Sequence, residues 1–341
     1  MSWFLLKRII RALFTVFIVT FIIFVLIRVI PGDPVRMMVS GTAPKSAVEA
    51  LRKELGLDKP VVLQFVDFIQ KAVGGDFGQS FFRSKHGGVG ESVGGSSAHR
   101  MDMAKKGTEG MKSIEKEAHA RASVSGLIVE RFPLTFELIG LALLIGLSVG
   151  GLLALVGARR ERIGQKIEIA TVFLQSFPNF WLAIMAILLF SVKLNLFPAV
   201  GYRGFKSMVL PSTVLALTLI PAAFKTMYES LKDIFSKQFI TGMQVRGIPA
   251  GKINLHIAKH FLGSIVTFLG LQWGPLFGGA IIIEYLFSLP GMGTLFIYAV
   301  LQRDYPLIVG GVIALSALFV TLNLVADILY GALDPRVREW S

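Results

Sequence analysis

Long apolar runs separated by short polar blocks occupy most of this chain. Stretches without charged residues predict six helices, at residues 12–27, 138–158, 169–192, 207–224, 261–283 and 305–326. Each stretch is close to the roughly 20 residues with which a helix crosses the hydrocarbon core of a bilayer. The pattern therefore predicts an all-α polytopic membrane protein with six transmembrane helices.

The first of these runs is the shortest, and it has two interpretations. A cleaved signal peptide fits less well, because no small-residue cleavage site follows and Pro31-Gly32-Asp33-Pro34 is typical of a turn. A first transmembrane helix fits better, since Arg28 can reach the interface and let Val29 and Ile30 lengthen the span. Residues 1–30 are then the cytoplasmic N-terminal end and the first span.

One polar block, Lys225–His260, is amphipathic and lies between two predicted spans. An apolar stripe at helical spacing runs along its first half through Leu231, Ile234, Phe235, Phe239 and Met243. Gly247 suits the left-handed residue that ends a helix, and Pro249 suits the first turn of the next one. A second row, with i, i+4 spacing, continues into the following span through Ile253, Ile257 and Phe261. The block is predicted to be a bent pair of helices joined stiffly to the bilayer.

Lysine and arginine in the short loops indicate orientation, since cytoplasmic loops carry an excess of them. They concentrate near both termini, at residues 159–166 and in Lys225–His260, whereas the opposite short loops carry only Lys193, Arg203, Lys206 and Arg303. Both termini and Lys225–His260 are therefore predicted to be cytoplasmic.

Residues 31–133 are predicted to face outward. Within them, residues 83–123 are rich in Gly, Ser, Lys, Glu and His, which predicts a mobile insertion. Helical order is expected to resume between Ile114 and Arg131.

Composition and histidine spacing narrow the possible partners. The formal net charge of +13 could indicate nucleic acid, but the basic residues flank the predicted spans, where anionic lipid accounts for them. We therefore expect a lipid bilayer, and no nucleic acid, as a partner.

Cysteine is absent, which excludes disulfides and thiolate metal sites. His256 and His260 lack the adjacent Glu of zinc peptidases, so a polar helix surface is preferred over a metal site.

Five short strings occur in a fixed order relative to the predicted spans: Pro31-Gly32-Asp33-Pro34, Gly75-Asp76-Phe77-Gly78-Gln79-Ser80, Phe287-Ser288-Leu289-Pro290-Gly291-Met292-Gly293, Arg303-Asp304-Tyr305-Pro306 and Asp334-Pro335-Arg336. Together they resemble hallmarks of the membrane subunit of bacterial ABC importers, in the oligopeptide/dipeptide permease branch that also includes nickel and glutathione importers. The resemblance implies a type I importer transmembrane domain with residues 134–341 as its core.

The cytoplasmic loop of that family carries EAA, three residues, Gly, nine residues and I-x-L-P. Gly247 matches the glycine and Ile257 the isoleucine, whereas Thr241-Gly242-Met243 stands at EAA and Lys259-His260 at the final L-P. The resemblance implies that residues 225–260 form a coupling loop seated on an ATPase subunit. Its expected contact residues are Phe239, Met243, Arg246, Gly247, Ile248, Lys252 and Ile257.

The resemblance also implies a function and a set of partners. The chain would be a permease subunit that forms the translocation pathway for peptides or a similar small solute by alternating access, in a bacterial inner membrane. Expected partners are a second homologous permease subunit, two ATPase subunits and an extracytoplasmic substrate-binding protein. The chain lacks a G-x-x-x-x-G-K-[ST] loop, so we expect no cofactor and no enzymatic activity in it, with ATP and Mg bound by the ATPase subunits.

Polar residues inside the predicted spans are few. Pro178 frees backbone carbonyls and bends a helix, which favours a pathway wall or gate at residues 176–180. The candidate pathway residues are Gln175, Phe177, Asn179, Gln272 and Asn323. Hydrogen bonding between helices is an equal alternative for them.

Two further patterns have structural interpretations. Gly270, Gly274 and Gly278 recur every four residues, which lets helices pack closely. Glu284 and Asp327 lie near predicted span ends, where structural pairing or hydration is favoured over substrate binding.

Two other classes of function fit less well. An intramembrane hydrolase needs a nucleophile and a base inside the bilayer, yet no histidine lies in any predicted span. A stand-alone carrier or channel usually has repeated halves, which are not evident here, and it would leave Lys225–His260 without a purpose. The sequence does not determine the cargo: peptides, metal chelates, glutathione and opine-like compounds stay open.

Overall fold

The computed structural model describes residues 2–29, 35, 45–54, 56–84, 121–236 and 238–333. Helices form nearly all of its regular structure, as predicted: α1 Ser2–Val29, α2 Lys45–Glu54, α3 Val61–Val73, α4 Val124–Arg159, α5 Glu161–Gln175, α6 Asn179–Ala186, α7 Lys206–Ser236, α8 Gln238–Val245, α9 Ala250–Leu286, α10 Met292–Gln302 and α11 Tyr305–Leu333. A π-helical segment, Ile187–Lys193, continues α6.

Among the described residues, four or five spans are evident, and the predicted number of six is not confirmed. Four helices, α4, α7, α9 and α11, are long and apolar enough to cross a bilayer, and the bent pair formed by Glu161–Gln175 and Asn179–Lys193 raises the number to five. The apolar part of α1, Leu13–Val29, is shorter than 18 residues and is therefore not counted among these spans. An all-α polytopic membrane fold is confirmed, whereas the sixth span stays a prediction.

The edges of the predicted insertion are extended strands. β1 Gln79–Ser84 pairs with β2 Arg121–Ser123 in an antiparallel arrangement. The prediction of helix is wrong for residues 121–123, because their backbone pairs with β1, and α4 begins only at Val124. Residues 85–120, the rest of the predicted mobile insertion, lie outside the described residues.

Two units divide the described chain. The large unit is built mainly from residues 134–289 with 319–333, and the small unit from the described parts of 9–133 with 290–318. In the small unit, Phe65 of α3 packs edge-on against three phenylalanines of α1, with ring centroids 5.1 to 5.7 Å apart.

Helix α7 forms the centre of the large unit. In its most apolar window 72% of the residues are buried, against 33% or less for the other three long apolar helices. Apolar side chains on all sides of α7, including Met208, Leu215 and Leu219, form one core cluster with Leu138 of α4 and Ile283 of α9. Such all-round burial is what an apolar helix without a polar face predicts. The position of α7 also fixes where Lys225–His260 leaves the core.

Two members of the predicted glycine row lie at a helix contact. A Cβ on Gly270 or Gly274 would lie 3.1 or 3.4 Å from side chains of α11, so close packing is confirmed there. The prediction of close packing is wrong for Gly278, because a Cβ there would meet nothing within 4 Å. Four-residue steps drift by about 40° on a helix of 3.6 residues per turn, which turns Gly278 away. Gly279 lies on the opposite side of α9 from Gly270 and packs closely against α7 instead, since its Cβ would lie 2.9 Å from Leu215.

Candidate functional site

A left-handed glycine makes the apex of the predicted bent helix pair. Gly247 has φ +69° after α8 ends, and the N–H of Ile248 donates to the carbonyl of Met243 over 3.1 Å. This 6→1 hydrogen bond is that of a Schellman helix end. Pro249 then precedes the first turn of α9 in an extended conformation, φ −55° and ψ 138°. The predicted Gly-then-Pro turn is therefore confirmed.

The base of this bent pair, where it joins the rest of the large unit, is buried. Leu231 and Ile234 of α7 are buried, as is Ile240 of α8. Ile257 and Phe261 of α9 are partly buried against a cluster that contains α7 residues. The helices α7 and α9 continue unbroken from their apolar parts into Lys225–His260. This continuity and the packing agree with the predicted stiff connection, which stays a prediction.

The apex is exposed, in contrast to the base. Val245 is 82% exposed, Arg246, Gly247 and Lys252 are exposed, and Met243 and Ile248 are half-buried. A large apolar side chain and two cations thus protrude together on a turn with fixed geometry.

Two of the seven predicted contact residues are not among the side chains that the structure describes at the apex. Ile257 packs inward at the base, where it supports the loop. Phe239 lies in α8, and its side chain is outside the described part of the chain.

The two predicted inner loops meet in the large unit. Lys232 Nζ lies 3.1 Å from Glu161 Oε1. On the predicted outer side, the N–H of Gly201 donates to the carbonyl of Phe287 over 2.8 Å. Loops assigned to the same side by their charges are therefore adjacent in the structure.

A sharp bend separates α5 from α6. The two helices cross at 89°, with Ser176, Phe177 and Pro178 between them, so the kink predicted at Pro178 is confirmed. Phe177 stacks on Trp181 across the bend, with centroids 4.8 Å apart and planes inclined by 17°.

The remaining candidate pathway residues lie on four different helices. Gln175 is exposed at the end of α5 and Gln272 is half-buried on α9. Asn179 approaches α9, with its amide nitrogen 3.4 Å from the position of a Cβ on Gly279. The amide of Asn323 donates to Phe319 O of its own helix over 2.9 Å. Local hydrogen bonding thus explains Asn323, and helix contact explains Asn179.

Buried carboxylates are the polar groups that sequence reasoning described least completely. Glu284 is fully buried and accepts a 2.6 Å hydrogen bond from Thr135, so structural pairing is confirmed, but Thr135 was not predicted as its partner. Asp304 is fully buried and accepts from the hydroxyl of Ser80 and from the N–H of Phe81 over 3.1 Å. For Glu284 the sequence signal is a carboxylate at the end of an apolar run. Asp304 and Ser80 stand in two of the five strings that carry the family resemblance, which does not by itself pair them.

Three of the predicted ionisable candidates are less informative about a functional site. His256 is exposed on α9, and the side chains of His260 and Asp327 lie outside the described part of the chain. Within the residues that the structure describes, no three His, Cys, Asp or Glu side chains are grouped closely enough to hold a metal ion.

Comparisons with known proteins agree with this architecture. Residues 142–339 match the family described as the binding-protein-dependent transport system inner membrane component, and residues 1–95 match the N-terminal part of such membrane components. A relative from Brucella abortus, named as a peptide transport system permease protein, is 31% identical over 99% of both chains. The glutathione transport system permease protein GsiC of Escherichia coli K12 is 30% identical over 98% of both chains. The chain belongs to the family of binding-protein-dependent transport system inner membrane components, and it is a multi-pass permease subunit of an ABC importer of the peptide branch.

Proposed function

We propose that Lys225–His260 is the coupling loop through which an ATPase subunit drives this permease. The observation that carries the proposal is the turn at Gly247, an exposed apex of fixed geometry on a packed base. A protruding apolar residue with flanking cations suits insertion into a groove with acidic rims. The protruding apolar residue is Val245 and the cations are Arg246 and Lys252. The half-buried Met243 and Ile248 complete the docking surface with Gly247, and Phe239 is included on its position in α8.

The assembly contains further subunits, since the family is one of transport systems. In our proposal these are a second homologous permease, two ATPase subunits that bind ATP and Mg, and an extracytoplasmic substrate-binding protein. Both termini and the coupling loop face the cytoplasm, because the basic residues concentrate on that side.

The cycle is alternating access between an inward-open and an outward-open state. ATP binding favours one of these states, and a ligand can shift such an equilibrium only by its difference in affinity for the two. A loop that bent under load would lose that difference, so the packed base at Leu231, Ile234 and Ile257 serves the coupling.

The solute is a peptide or a similar small molecule. This proposal is supported by the names of the relatives, which include peptide and glutathione transport systems. The pathway residues in it are Gln175, Phe177, Asn179, Gln272 and Asn323. The bend at Pro178 gives the region of the first three a non-helical backbone that can line a cavity.

Reconstitution tests the proposal directly. The permease pair, the ATPase subunits and the binding protein are purified from the source organism as one complex, and the ligand retained by the binding protein is identified by mass spectrometry. In proteoliposomes, that ligand should accumulate only with ATP and with the binding protein present. Accumulation without ATPase subunits would contradict the proposal and favour a stand-alone carrier.

A further inference from the structure

A single tyrosine holds three helices together at the base of the coupling loop. Tyr228 of α7 is 7% exposed, and its ring stacks on Phe224 with centroids 5.2 Å apart and planes inclined by 13°. A Cβ on Gly164 of α5 would lie 2.6 Å from the Tyr228 hydroxyl oxygen, and a Cβ on Gly157 of α4 would lie 3.4 Å from the ring. The ring therefore excludes a side chain at Gly164, whereas a Cβ on Gly157 would only touch it.

The two glycines also contact each other. A Cβ on Gly157 would lie 3.0 Å from the Cα of Gly164, so the backbones of α4 and α5 meet directly above the tyrosine. We call Gly157, Gly164 and Tyr228 the glycine saddle. Close-packed backbone contacts of this kind do not deform gradually, because interiors have few voids into which a side chain can move.

A surface ion pair lies one turn further along α7. Lys232 and Glu161 are 3.1 Å apart, but their side chains are 60% and 67% exposed. Exposed pairs contribute little to stability. The glycine saddle, rather than the ion pair, must therefore fix α5 to α7.

Helix α5 connects the saddle to the bend. From Gly164 to Gln175 the helix is continuous, a length of about 16 Å at 1.5 Å per residue. Beyond it lie Ser176, Phe177 and Pro178, and the 89° change of direction into α6. A displacement of α7 at Tyr228 would be carried along α5 to the stacked pair of Phe177 and Trp181.

We propose that Tyr228 is a positioning residue that couples the loop to this bend, with α5 and the base of α7 moving as one rigid body during the transport cycle. The inference rests on the proposed coupling function. It adds that residues 159–166, at the end of α4 and the start of α5, move together with α7, and that α5 transmits this movement to the bend.

The absence of native cysteine in the chain permits a direct test by bridging. In the double variant E161C/K232C, a short homobifunctional thiol reagent joins α5 to α7 in the assembled complex. If the two helices move as one body, ATP-driven uptake after bridging should stay within about twofold of the same double variant before bridging. A tenfold or larger loss, with alkylated single-cysteine variants still active, would overturn the proposal.

A glycine substitution tests the saddle from the other direction. Gly164→Ala places a methyl group against Tyr228, and we expect the ratio of solute transported to ATP hydrolysed to fall at least fivefold. Gly140→Ala is the matched control, because Gly140 is also helical and a Cβ there would meet nothing within 4 Å. An unchanged ratio in Gly164→Ala would overturn the proposal. If this variant fails to assemble, the bridging result alone decides.

The failures of the two proposals are distinguishable. If the wild-type complex shows no ATP-driven uptake, the coupling function itself is refuted. If the wild type transports normally and the bridge blocks it, only the rigid connection between α5 and α7 is refuted.

Discussion

The hydroxyl of Thr135 donates a 2.6 Å hydrogen bond to the carboxylate of Glu284. The two residues are 2% and 0% exposed, and the bond joins α4 to α9 inside the large unit. A buried carboxylate is costly unless hydrogen-bond donors surround it. Thr135 is thus a structural partner of Glu284, and this bond helps to fix the C-terminal end of α9.

Replacing Thr135 with alanine should destabilise the large unit by about 1–3 kcal/mol, the usual cost of leaving a buried group short of a partner. The measurement is thermal unfolding of the purified complex in detergent. Thr218→Ala is the control, because the Thr218 hydroxyl donates within its own helix, to Leu215 O over 2.8 Å. Equal stability losses in the two variants would contradict a special role for the bond to Glu284.

In the small unit, Asp304 should hold β1 against the start of α11. Its carboxylate accepts from Ser80 and Phe81 of β1 and from the N–H of Leu307, the last over 3.3 Å. Asp304→Asn keeps one acceptor oxygen and turns an amide NH₂ either toward the donors of β1 or toward Leu307. Exchange of the Phe81 or of the Leu307 amide hydrogen should therefore become at least tenfold faster. Hydrogen–deuterium exchange with mass spectrometry measures this change.

Thr15→Ala is the control for that substitution. The Thr15 hydroxyl donates to Arg11 O of its own helix over 2.9 Å on the exposed side of α1, and its loss should leave exchange in β1 unchanged. Unaltered exchange at both Phe81 and Leu307 in Asp304→Asn would show that the carboxylate does not hold β1 against α11.

Sequence reasoning succeeded where the chemistry is local. The turn at Gly247 and the kink at Pro178 follow from what these two residues do to their own backbone, so neither depends on the rest of the fold. The partner of Asp304 is different, because Ser80 lies 224 positions away and no local pattern selects it. The pairing of β1 with β2 was missed for the same reason. Similarly, a charge-free run indicates a span but does not fix which face meets another helix, as Gly278 and Gly279 show.

The turn at Gly247 should be sensitive to β-branched residues. A left-handed conformation costs an L-residue about 1–2 kcal/mol, so Gly247→Val should distort the apex and lower ATP-driven uptake several-fold while the protein still inserts. Uptake and ATP hydrolysis are measured together in proteoliposomes. Gly247→Asn should retain more uptake, since asparagine tolerates this conformation better than valine does.

Gly251→Ala is the matched control for the apex. Gly251 lies four residues beyond Gly247, inside α9, and a Cβ there would meet nothing within 4 Å. Alanine favours a helix interior over glycine, so uptake should be retained. Equal uptake by Gly247→Val and Gly251→Ala would contradict the importance of the left-handed turn.

If the bend lines the pathway, replacing Phe177 should change solute uptake and leave ATP hydrolysis unaltered. Phe177→Ala removes the stack on Trp181, an interaction of about 1 kcal/mol, and should change the KM for uptake while basal ATP hydrolysis is kept. Phe205→Ala, at a residue that is 64% exposed and distant in sequence from the bend, is the control. An unchanged KM in Phe177→Ala would place Phe177 outside the pathway.

Site-specific cross-linking tests the coupling loop most directly, because the chain contains no native cysteine. Arg246→Cys, modified with a maleimide that carries a photoreactive group, should cross-link to the ATPase subunit in inside-out vesicles, whereas Arg203→Cys on the predicted outer side should not. A membrane-impermeant maleimide should label position 246 only from the cytoplasmic side. Labelling of position 246 from outside, or no cross-link to the ATPase subunit in a transport-active complex, would contradict the account.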